Sequence, residues 1–134
     1  MAAVIDASVL AAYLIDDTAE KTVVPALSRH AGDIHIPHLC IIETTSVIRG
    51  LERGHLINEK SAALALADLA AFPAIRWPHD QLLDRIWQLR HNITAYDATY
   101  VALAEALRAT LLTKDARLAG AITQQNICAV ELIG

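Results

Sequence analysis

Five short apolar runs constrain what this chain can fold into. "AAVID", "DIHIP", "AIRWP", "ATLLT" and "ICAVEL" recur along the sequence, and one or two helix-patterned stretches separate each from the next. Strands joined by such helical connections cannot pair as tight hairpins. They pair in parallel, and the connecting helices cover the sheet. The reading is therefore α/β: one domain over residues 1–134, with a parallel five-stranded sheet flanked by helices on both faces.

The helical stretches carry their own punctuation. "SVLAAYLI" is closed by "DDT", and residues 20–31 form a second helix ended by Ala31-Gly32, with Pro25 inside it. Pro37 opens "HLCIIETTSVIRGLERG" and Gly54 closes it; Asn58 caps "NEKSAALALADLAAF" and Pro73 ends it. "HDQLLDRIWQLR" is expected to bury Leu82, Leu83, Ile86 and Leu89 as one stripe. Thr94 begins "AYDATYVALAEALR", whose start is expected to be well buried, and "KDARLAGAI" follows the fourth strand.

Composition narrows the class. Of 134 residues, 54% are apolar and 19% charged, which suits a packed core rather than disorder. The formal charge of -4 does not advertise nucleic-acid binding, although an acidic site with a basic rim elsewhere is compatible with it. Cys40 and Cys128 stand far apart in apolar surroundings and read as reduced core thiols. Met1 leads straight into a strand with no basic leader, and no apolar run reaches the roughly 18 residues of a membrane span. A cytoplasmic protein without a membrane segment is expected. The six histidines form no paired spacing on one helix and read as surface residues. Trp87, beside Leu83 and Ile86, reads as core or dimer packing, and "SAALALADLAAF" as core or a partner surface.

Four acids need an explanation. Asp6 ends the first strand, where a helix cap and a ligand at the carboxyl end of the sheet are both open readings. Asp97 follows Thr94 by three residues, the spacing of a capping box. Asp115 follows Thr113, with Thr113 as the N-cap and Asp115 in the first turn. Glu43 lies too far inside its helix for capping; its bland reading is a rim acid paired with Arg49 or Arg53. Together the four favour a site. Carboxylates brought together repel unless a cation joins them or their pKa values rise. An all-oxygen set suits Mg²⁺ or Mn²⁺, and phosphodiester hydrolysis is the matching reaction class.

"VIDASVL", "IIETTSVIRG", "TAYDATYVALAEAL" and "LLTKDARLAGA", in that order, resemble the motifs of PIN-domain ribonucleases, and more narrowly of the VapC toxins of toxin–antitoxin pairs. The resemblance runs over nearly the whole chain. It implies a Mg²⁺- or Mn²⁺-dependent endoribonuclease with Asp6, Glu43, Asp97 and Asp115 around the metal. Asp6 and Asp97 would be ligands, Glu43 a ligand or general base, and Asp115 a ligand through water. Ser8 and Thr113 would orient these acids. It also implies a structured RNA substrate, a homodimer, and a VapB-type antitoxin; an acidic pocket would accept a basic side chain from that partner. Arg49, Arg53, Lys114 and Arg117 are the basic residues nearest the acids, and are candidates for phosphate contact or plain solvated charges. The alternative is a non-catalytic PIN-like module that binds RNA or protein. A haloacid-dehalogenase site would need an acid where Ser8 stands, a receiver domain would need an acid after the middle strand, and no Gly-x-Gly-x-x-Gly is present.

Overall fold

A computed structural model describes all of residues 1–134. Strands β1 (Ala3–Ile5), β2 (Ile34–Pro37), β3 (Ile75–Trp77), β4 (Thr110–Thr113) and β5 (Val130–Leu132) form one sheet in the order β3-β2-β1-β4-β5. Every neighbouring pair is parallel, with Ala3 opposite Ile34 on one side and Thr110 on the other. The helices are α1 (Ala7–Ile15), α2 (Ala19–Ser28), α3 (His38–Arg53), α4 (Glu59–Ala71), α5 (Leu83–Gln88), α6 (Ala95–Leu107) and α7 (Ala116–Gln125).

The chain steps outward from β1 through β2 to β3, then crosses back to β4 and on to β5. Right-handed crossovers assign α1–α4 to one face and α5–α7 to the other. The packing agrees: α1 lies against α2, α3 and α4, α5 against α6, α6 against β1, β2 and β4, and α7 against β4 and β5. The strand order reverses between β1 and β4. A crevice opens at the carboxyl end of such a switch point, which is where open α/β sheets hold ligands.

The core follows from the sequence pattern. β1 and β2 are buried throughout, as central strands covered on both faces must be. α6 is buried at seven consecutive positions, Ala98 to Ala104. Small alanines on all sides let sheet and helix approach it closely. Asn58 caps α4 by accepting the Ser61 N–H at 2.8 Å, and Gly54 ends α3. Pro25 lies within α2 without ending it. As the seventh of the ten residues it lies beyond the first turn, so α2 forgoes one intrahelical bond, to the Lys21 carbonyl, and still continues to Ser28.

Several expectations are corrected. Leu83 is 64% exposed, because residues 80–82 form a 3-10 turn that shifts the phase of the following helix and leaves Leu82 and Leu89 as the buried pair. Trp87 is 65% exposed and carries the Arg90 guanidinium 4.3 Å from its ring centre, so it is not core. His30 and His35 are buried, not surface. His35 joins Asp33, through Nε2 at 2.7 Å, to the Trp77 indole N–H, through Nδ1 at 3.0 Å. Cys40 is buried, Cys128 is half-buried, and both are free. No helix is long and apolar enough to cross a membrane.

Candidate active site

Asp6 is the residue most firmly held. It leaves β1, caps α1 by accepting the Val9 N–H at 3.2 Å, and is 6% exposed. Two hydroxyls grip its carboxylate: Ser8 Oγ donates to Oδ1 and Thr113 Oγ1 donates to Oδ2. Each hydroxyl accepts a backbone N–H from the β4–α7 corner. Lys114 N–H reaches Ser8 Oγ at 3.0 Å, and Asp115 N–H reaches Thr113 Oγ1 at 3.0 Å. Two parallel relays thus orient one carboxylate from the neighbouring strand's end. No Lys, Arg or His pairs with Asp6. Burial pushes its carboxyl above the ordinary carboxylate range, and the hydrogen bonds from Ser8, Thr113 and the backbone pull it only part of the way back.

Asp115 caps α7 directly, accepting the N–H groups of Arg117 at 3.0 Å and Leu118 at 3.2 Å. The expectation that Thr113 would be the cap is therefore corrected. Thr113 is the last residue of β4, and its hydroxyl is committed to Asp6. At the start of α6 only half of a capping box forms: Thr94 Oγ1 accepts the Asp97 N–H at 3.1 Å. The Asp97 carboxylate instead faces Arg117 Nη2 at 3.2 Å. The first turn of α6 is exposed through Tyr96, at 63%, and burial starts only at Ala98. Asp97 itself is partly open, which corrects the expected deep burial and leaves the acid reachable.

Glu43 pairs with neither Arg49 nor Arg53, both of which are exposed. It accepts the Tyr100 hydroxyl at 2.5 Å. Tyr100 is 1% exposed on α6, one turn after Asp97. One helix therefore presents an acid of its own and the hydroxyl that holds an acid of α3. Sequence reasoning missed Tyr100, although its spacing of three from Asp97 was a usable signal. Ser46, one turn after Glu43, also lines the site and was not foreseen.

These pieces face one pocket of about 400 Å³, lined by Asp6, Ser8, Glu43, Ser46, Asp97, Tyr100 and Asp115 among others. The four predicted acids come from four places in the chain: the ends of β1 and β4, the second turn of α3, and the first turn of α6. They share the pocket but stand apart, and no three His, Cys, Asp or Glu side chains are close enough to hold one ion without moving. Of the four basic candidates, only Arg117 contacts the acids, facing Asp97 and, at 3.4 Å, Asp115, with its side chain largely exposed. Lys114 turns its amine to the Gly134 carbonyl at 2.9 Å.

The donor set suits a hard divalent ion. It is all oxygen, it contains a buried carboxylate without a counter-charge, and a guanidinium already stands as a cation between two of its acids.

The family model for the PIN domain matches residues 3–121. The chain is 35% identical to ribonuclease VapC9 of Mycobacterium tuberculosis over 130 residues, 97% of either chain. It is 40% identical to ribonuclease VapC1 of the same organism over 119 residues, 88% of this chain and 89% of that one. The chain is a PIN-domain protein of the VapC family. Among solved structures, this VapC-family fold matches FitAB bound to a DNA fragment with a TM-score of 0.72, covering 97% of this chain and 94% of that one at 19% identity. It matches VapC20 of M. tuberculosis, described as a sarcin-ricin loop cleaving toxin, with a TM-score of 0.66 over 90% and 95% of the two chains at 18% identity. At such identities these two structures establish the fold alone.

Proposed function

We propose that this VapC-family chain is a Mg²⁺- or Mn²⁺-dependent endoribonuclease, the toxin of a type II toxin–antitoxin pair, working as one PIN domain over residues 1–134. The observation that carries the reading is that Asp6, Glu43, Asp97 and Asp115 line one pocket at the switch point, in a chain whose relatives are named ribonucleases. A binding-only module would gain nothing from burying Asp6 without a counter-charge.

In this reading the four acids would hold the metal, with Asp6 and Asp97 as its direct ligands. When bound, such an ion supplies Lewis-acid activation of water and neutralises charge on the phosphoryl oxygens. The protein's own part is positioning. Ser8 and Thr113 fix both oxygens of Asp6, so that the carboxylate needs no reorganisation to accept a ligand. Tyr100 holds Glu43 at the pocket edge, where its free oxygen can take a proton. Asp115 gives one oxygen to the cap of α7 and turns the other to the Arg117 guanidinium.

Arg49 and Arg53 stand one turn apart and exposed on α3, suited to backbone phosphates of RNA rather than to bases. An antitoxin of the VapB type would silence the site with a basic side chain, a reading supported by the Arg117 guanidinium already paired with Asp97 and Asp115. A cytoplasmic homodimer completes the proposal.

The test is cleavage of a mixed cellular RNA pool with Mg²⁺, Mn²⁺ or EDTA, by the wild type and by Asp97→Asn, with circular dichroism to confirm folding. Discrete products that vanish with EDTA and in the variant are expected. Products that persist in EDTA or in a folded Asp97→Asn would overturn the reading.

A further inference from the structure

We infer that Arg117 is a resident counter-cation that competes with the divalent metal for Asp97 and Asp115, and so holds the resting pocket in a state of low metal affinity. The inference rests on the metal-site reading above. Three observations lead to it. The Arg117 guanidinium bridges the β4–α7 corner to the start of α6, with Nη2 at 3.2 Å from Asp97 Oδ2 and 3.4 Å from Asp115 Oδ2. Its backbone is pinned, because its own N–H is donated to Asp115 Oδ1 at 3.0 Å, so the side chain is always within reach of the acids. The side chain is nevertheless 69% exposed, so it is free to swing away.

The bridge does little for the fold. Partly exposed ion pairs of this kind contribute little to stability, and α7 is already anchored by its Asp115 cap and by buried Leu118, Ala119 and Ile122. Its effect falls on the site. Asp115 Oδ1 is committed to the helix cap and Asp115 Oδ2 faces Arg117, which leaves Asp115 no free oxygen for a metal or its waters. Asp97 keeps only Oδ1 unengaged. A divalent ion that recruits these two acids must displace the guanidinium. Once displaced, Arg117 remains tethered at the pocket mouth, and its planar fork suits a phosphate.

The experiment measures Mn²⁺ affinity of the full chain by electron paramagnetic resonance of free Mn²⁺, with no RNA present. The proteins are the wild type, Arg117→Gln, Arg117→Met, Asp97→Asn, the double variant Arg117→Gln/Asp97→Asn, and Lys60→Gln as an exposed, charge-matched control on α4. Loss of two exposed pairs should tighten Mn²⁺ binding about three- to tenfold in both Arg117 variants. Lys60→Gln should match the wild type, and most of the gain should disappear when Asp97 is already Asn. If Asp97→Asn weakens binding but neither Arg117 variant tightens it beyond the Lys60→Gln control, the competition is refuted and the metal site stands. If Asp97→Asn leaves the affinity unchanged, the metal-site reading fails and the inference fails with it.

Discussion

Replacing Thr113 with valine isolates the relay that orients Asp6. The two side chains are nearly equal in shape, and Thr113 is fully buried, so no cavity opens. Two hydrogen bonds are lost: the donation to Asp6 Oδ2 and the acceptance of the Asp115 N–H. A bond to a charged group contributes roughly 1.5–3 kcal/mol and a neutral one roughly 1 kcal/mol. The expected loss is therefore about 2–4 kcal/mol, a large share of a stability on the order of 5–15 kcal/mol. For a chain of this size that is a Tm drop of roughly 6–15 °C. The assay is urea unfolding followed by circular dichroism, at neutral pH in EDTA, with Thr113→Ser as the companion. Serine keeps the hydroxyl and loses one methyl, so it should cost only about 1 kcal/mol. A valine penalty below about 1 kcal/mol, or one no larger than that of serine, would refute the claim that this hydroxyl supports the buried carboxylate.

Three further outcomes are expected. Tyr100→Phe should lower kcat for RNA cleavage about tenfold with little change in KM, because it frees Glu43 without touching a substrate contact; an unchanged kcat would remove Tyr100 from the site's machinery. Asp6→Asn should raise the stability of the metal-free protein at neutral pH. Burial raises the Asp6 carboxyl, so the native state takes up a proton before the unfolded chain does, and wild-type stability recovers as pH falls through the folded value. Thermal melts of both proteins in EDTA from about pH 4 to pH 8 should converge at the acid end. The two thiols should resist thiol reagents at mildly alkaline pH, since burial pushes Cys40 up to about 12 and Cys128 up to about 11. A disulfide-exchange dye should count them only after denaturation.

The sequence carried the layers of the fold because strand length, helix caps and breakers act locally. Asn58, Gly54 and the parallel strands were all readable from neighbours a few residues away. The sheet order was not, since nothing local says which way β4 crosses. The same limit hid the site's second half. That Asp6 takes a hydroxyl from Thr113, 107 residues later, and Glu43 one from Tyr100, 57 residues later, follows only once β1 meets β4 and α3 meets α6. Where local rules competed, the reading slipped. Thr113 and Asp115 both suit an N-cap, and the longer-range demand of Asp6 on Thr113 decided in favour of Asp115. Leu83 fitted a helical stripe whose phase a 3-10 turn then changed. His35 became buried because Trp77 and Asp33 satisfy both ring nitrogens, which spacing alone does not reveal.

Four acids from separate elements are proposed to gather around one divalent ion. Diffraction from crystals of the protein soaked in Mn²⁺, recorded where manganese scatters anomalously, tests it most directly. One strong anomalous peak is expected in the pocket, within direct ligand distance of Asp6 and Asp97, with Arg117 turned away from Asp97. Manganese bound elsewhere, with the pocket empty of anomalous density, would contradict the proposal.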